Sequence, residues 1–186
     1  MKFINKLSSF VDIFLDWSNS PKKFLKIFQI LIYYTPAVLT PAAGLYFVVQ
    51  IFEIPFFGLT HIGLILTVIL ASFFVFRVYW SRAKDFLSSS QGNDFFIIPA
   101  ISHLIKTAGE VAFTICATSP IAFVFMQFDV LFRGGGMDFG LDFGGVVILG
   151  VIAVPLYGYG LMIVSKFVAE SLSAIAAIAN NTARIK

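Results

Sequence analysis

LTHIGLILTVILASFFVFRVY, residues 59–79, decides the fold. Within it only Arg77, two residues from the end, carries a formal charge. A helix that crosses a bilayer needs about 20 apolar residues, with a range of about 17–25. Lipid satisfies no backbone polar groups, so a spanning segment is a helix or part of a closed barrel. The two-residue alternation of a barrel strand is absent here, so the stretch reads as a helix.

Working outward, three more uncharged runs are long enough to span. They lie between Lys26 and Glu53, between Glu110 and Asp129, and between Asp142 and Lys166. The expected spans are about 27–52, 59–79, 108–128 and 144–165. Composition agrees: 59% of the residues are apolar and 12% charged, with 23 Phe. Soluble domains run at roughly 45–50% apolar and about 25% charged. The fold class is therefore an all-α membrane protein with four transmembrane helices.

Charge sets the expected orientation. With the N-terminus inside, twelve of the 13 Lys and Arg residues fall on the cytoplasmic side and only Arg133 lies outside. Glu53, Asp129, Asp138 and Asp142 fall outside with it. The positive-inside rule therefore predicts N-in and C-in, in a bacterial inner membrane. Topogenesis and anionic headgroups account for the net charge of +3, which is no nucleic-acid signal.

Residues 1–19 read as an amphipathic interfacial helix. Phe3, Leu7, Phe10, Phe14 and Trp17 recur at spacings of three and four. Asp12 and Asp16 interrupt any signal-peptide core. Ser20-Pro21 then opens the membrane domain, residues 20–186, as N-cap and first helical residue. Inside the first span, Thr35-Pro36 and Thr40-Pro41 predict a bend, because each proline removes a donor and crowds the preceding turn.

The stretch 95–128 is too long for a bilayer. At 34 residues it reaches roughly 51 Å as a helix, against a core of about 30 Å. Pro99 and Gly109 are the expected bends. His103, Thr107, Glu110, Thr114 and Thr118 share one face, with Lys106 one turn before Glu110. Ionisable groups near a span are costly and often functional, which points to a proton or ion path. The competing expectation is structural. Glu110 lies near the start of the span, pairs with Lys106 or with Arg77 across a helix interface, and the threonines bond their own helix.

Other constellations carry little chemistry. Cys116 is the only cysteine, which excludes an intramolecular disulfide and a thiolate cluster. His61 and His103 are expected at opposite membrane faces. The sequence points to no catalytic, cofactor-binding or metal site. Asp129, Asp138 and Asp142 lack the spacing of a calcium loop.

The last span is rich in small residues, among them Gly150, Gly158 and Gly160, which let helices approach closely in lipid. Beyond Lys166, residues 166–186 form an expected helical cytoplasmic tail carrying Ala174 and Ala177 on a poorly charged surface. That surface is expected to meet residues 95–105, a second copy or another subunit. The expected function is a non-enzymatic structural or accessory subunit of a membrane assembly, its partners being membrane lipids and either a homo-oligomer or other membrane subunits. The alternative is a small oligomeric channel or proton-linked transporter using the stripe around Glu110.

Overall fold

The computed structural model describes residues 21–54, 58–90, 97–132, 145 and 148–183. The expected interfacial helix, residues 1–19, and the acidic positions Asp138 and Asp142 lie outside the described residues.

Every described element is helical. Helix α1 (Pro21–Gln29) passes through a π-helical turn (Ile30–Tyr34) into α2 (Thr35–Phe52). Helix α3 (Leu59–Ser90) returns. Helices α4 (Ile97–Thr118) and α5 (Pro120–Phe132) form the third pass. A second π-helical turn (Ile148–Ala153) leads into α6 (Val154–Ala183). Together they make four helices long and apolar enough to cross a membrane: Lys23–Phe52, Leu59–Phe86, Ile97–Phe132 and Ile148–Thr182.

Prolines explain the irregular turns, and they correct two expectations. The first pass does depart from regular geometry, but one turn ahead of Pro36. There the Thr35 backbone N–H donates to the Ile30 carbonyl five residues back. The wider turn accommodates a ring that would otherwise crowd the carbonyl four residues earlier. The second π turn ends two residues before Pro155 in the same way. In the third pass the break falls at Ser119-Pro120, not at Pro99 or Gly109. Pro99 sits in the first turn of α4, where no backbone donor is needed. Pro120 cannot bond the Cys116 carbonyl, and the Ser119 hydroxyl donates to that carbonyl instead, at 2.8 Å.

Helix α4 packs most extensively on α6, and α3 packs on α2, α4 and α5. Small residues set the α4–α6 seam. A Cβ at Gly109 would overlap the Ser165 side chain, and one at Gly158 would overlap Cys116. Gly150 faces Phe123 in the same manner. Gly160 meets nothing within 4 Å of its own chain, so it takes no part in this packing. The tail expected over residues 166–186 is, through Ala183, an unbroken continuation of α6 rather than a separate helix.

The compact apolar core lies at the basic end of the bundle. Leu25, Tyr33, Ala83, Phe86 and Ala100 form it, with Phe28, Ile32, Tyr34 and Tyr79 against it. Midway along the helices large apolar side chains stay exposed: Val38, Leu45 and Leu156 are each more than 60% accessible. Lipid tails are as apolar as these side chains, so nothing drives them inward there. At the basic end the rings of Phe28, Tyr33 and Phe86 pack on one another and a core forms.

Candidate functional site

The polar residues gather in the same basic layer, where α1 and the first π turn meet the C-terminal part of α3 and the N-terminal part of α4. Arg82 and Glu110 dominate it. The Arg82 Nε donates to Glu110 Oε2 at 2.6 Å, and its Nη2 donates to Oε1. Both carboxylate oxygens are thus taken by one planar guanidinium, the fork geometry that favours Arg over Lys. Arg82 also approaches Asp85, one turn along α3, at 3.5 Å.

The expected partners of Glu110 are corrected by this arrangement. Arg77 is exposed and lines a small cleft that Arg82 and Glu110 share, without bonding the carboxylate. Lys106 points to a different cleft, between α4 and α6. Five residues separate Arg77 from Arg82, which turns them to different sides of α3. Only Arg82 has both the azimuth and the depth to meet α4.

The threonines of the stripe bond their own helix. Thr107 donates to the His103 carbonyl at 2.8 Å and Thr114 to the Glu110 carbonyl at 2.7 Å. Thr118 donates to the Thr114 and Ile115 carbonyls at 3.1 and 3.0 Å. Each hydroxyl proton is therefore spent locally, on the backbone one turn earlier.

His103 turns toward the first pass. Its Nδ1 lies 2.7 Å from the Tyr33 hydroxyl. Tyr33 and Phe86 pack against the imidazole edge to face, with centroids 5.4 and 5.6 Å away. Beside them the buried Gln29 side chain donates to the Ala83 carbonyl. On the other side of α4, Ser102 donates to the Ala169 carbonyl at 2.6 Å and lies 2.9 Å from the Ser173 hydroxyl. A cavity of about 300 Å³ opens there between α4 and α6.

Polar fastening at the acidic end is simpler. Asp129, at the end of α5, caps the start of α3. It accepts from the Leu59 backbone at 3.2 Å and from the Thr60 hydroxyl at 2.8 Å. A carboxylate suits this position, since the first backbone N–H groups of a helix lack internal partners. His61 lies at this end, accepting from the Gly58 backbone at 3.2 Å. Cys116 packs against Gly158 inside the α4–α6 seam. Among the described residues no three His, Cys, Asp or Glu side chains form a group that would hold a metal.

Tyr33, Gln29, Arg82 and Ser102 were missing from the stripe because they sit on other helices or other faces. A usable signal exists for Arg82 alone, since it occupies the same basic layer as Glu110 on the preceding pass. Compared with known proteins, the chain matches no family model, no curated protein and no solved structure, so its site rests on this geometry alone.

Proposed function

We propose that the protein is a non-enzymatic subunit of a membrane protein assembly, docked through the outer face of its last helix. One observation carries the proposal. In the basic layer, Tyr33 and Phe86 are wholly buried, yet Ile175 and Ile178 of α6 remain 55% and 67% exposed. Ile175 lies nine residues beyond Lys166, or roughly 13 Å. With Lys166 at the inner boundary, acyl chains end short of Ile175, and protein would cover the apolar edge. The opposite face of α6 is already used, with Ala169 and Ala176 each 3% accessible against α4. Ala174 and Ala177 are exposed beside the isoleucines and permit close helix approach.

The occupied carboxylate of Glu110 supports a structural role over a transport path. A proton carrier needs a group free to exchange its partner. Here the guanidinium holds both oxygens, and the neighbouring threonines serve their own backbone.

Ala174→Trp and Ile178→Glu should each break the contact. In mild detergent the wild type is expected to run as a complex heavier than the single chain, and both variants as single chains. A wild type that is already monomeric would remove the proposal's basis.

Orientation belongs to the same proposal: both ends of the membrane domain face the cytoplasm, with the basic layer inside. In a Cys116→Ala background, single cysteines at Asp138 and at Ser89 test it. An impermeant thiol reagent added to intact cells should label the first and spare the second. The reverse pattern contradicts the N-in assignment.

A further inference from the structure

The cavity between α4 and α6 is lined by Ser102, His103, Lys106, Ala169, Glu170 and Ser173, among others. It carries one cation and one anion, and no salt bridge joins them among the described residues. Its floor is made of small side chains. The Ser102 and Ser173 hydroxyls both contact the Ala169 carbonyl, at 2.6 and 2.9 Å, which draws the two helices together at its base. Beside it, His103 Nε2 is shielded from solvent and has no hydrogen-bond partner. Its other ring nitrogen contacts the Tyr33 hydroxyl. The tautomer sets whether Nε2 offers a hydrogen or a lone pair, and its enclosure keeps it behind the cavity wall.

Depth orders the two charges. Ser102 meets Ala169, so Glu170 lies level with Ser102 and His103. Lys106 lies one turn further along α4, closer to the apolar part of the bundle by roughly 6 Å. The cation therefore sits nearer the acyl layer, and the carboxylate sits outside it. A phospholipid with a terminal amine has the same order, phosphate next to the glycerol and ammonium beyond.

We propose that this cleft binds the headgroup of a phospholipid carrying a phosphate and a primary ammonium. Lys106 takes the phosphate. Glu170 accepts N–H donors from the ammonium. A quaternary ammonium has no N–H to give, and a glycerol headgroup has no charge for Glu170. Selectivity thus follows from Glu170, while Lys106 supplies binding common to all phospholipids. Ala177 borders both this cleft and the proposed docking face of α6, whereas Lys106 and Glu170 belong to the cleft alone, so variants at these two residues separate the two proposals.

The test is native mass spectrometry of the full chain in mild detergent. The probes are phosphatidylethanolamine, phosphatidylcholine and phosphatidylglycerol with the same acyl chains, at equal concentration. Wild type should retain phosphatidylethanolamine about tenfold over phosphatidylcholine, the ratio one charge-assisted bond supplies. Glu170→Gln, at an exposed position, should abolish that preference and leave phosphatidylglycerol retention unchanged. Glu170→Lys should favour phosphatidylglycerol. Lys106→Met should lower retention of all three. Circular dichroism checks that each variant keeps its helices. Equal retention of the ethanolamine and choline lipids by wild type overturns the proposal, as does an unchanged preference in Glu170→Gln. Displacement of the lipid by an equal concentration of soluble glycerophosphoethanolamine would reject a lipid as the ligand.

Discussion

Arg82→Ala is expected to lower folding stability by about 3 kcal/mol, because it strands the Glu110 carboxylate between helices. Their side chains are 24% and 14% exposed, which places the loss at the lower end of the range for buried pairs. Glu110→Gln should cost less, about 1–2 kcal/mol. It removes the charge that needs a partner, and Arg82 keeps Asp85 at 3.5 Å. The order of the two variants is the informative result. Thermal unfolding in mild detergent, with folded yield, measures it. Reconstituted Glu110→Gln separates the function classes as well. If it folds with normal yield and stability but loses an ion flux that the wild type conducts, Glu110 is a transport residue and the subunit proposal fails.

Phe86→Ala should be at least as damaging, at about 3–5 kcal/mol. Phe86 is wholly buried at the centre of the basic layer. Its ring stacks on Phe28 at 5.5 Å and meets Tyr33 at 5.3 Å, joining α1, the first π turn and α3. The ring is wholly enclosed by protein, so its removal leaves a cavity. Phe73, on the same helix but 55% exposed at mid-membrane depth, provides the contrast. Phe73→Ala should change stability by less than about 1 kcal/mol, because lipid replaces what the ring touched. Unfolding of both variants in matched detergent checks the pair. Similar losses at the two positions would mean that the bundle is not divided into a lipid-solvated middle and a self-packed end.

The number of spanning helices and their approximate limits were legible in residues 59–79 and the three similar runs. Length, apolarity and backbone satisfaction are properties of a single segment, and they need no neighbour to be evaluated. The presence of distortion near Pro36 was legible for the same reason, since a missing donor is a local fact. Its location was not. Whether the chain yields at Pro99, at Gly109 or at Pro120 depends on which turn has a substitute for the lost bond. Pro99 needs none at a helix start, Gly109 is spent on contact with Ser165, and Ser119 supplies a hydroxyl exactly one residue before Pro120.

Pairing across helices belonged to the tertiary structure alone. Glu110 had two expected basic partners, Lys106 and Arg77, and periodicity says nothing about how α3 is rotated against α4. Gly44 lets α2 approach α3 at Ser72, and Gly109 and Gly158 let α4 and α6 approach at Ser165 and Cys116, so each helix is oriented by contacts made away from the pair itself. Once the rotation is set, Arg82 reaches Glu110, Lys106 is left with Glu170 across a cleft, and Gly160 is left facing outward. A sequence records which side chains a helix carries on each face, whereas the faces that meet are chosen by the packing of all the helices together.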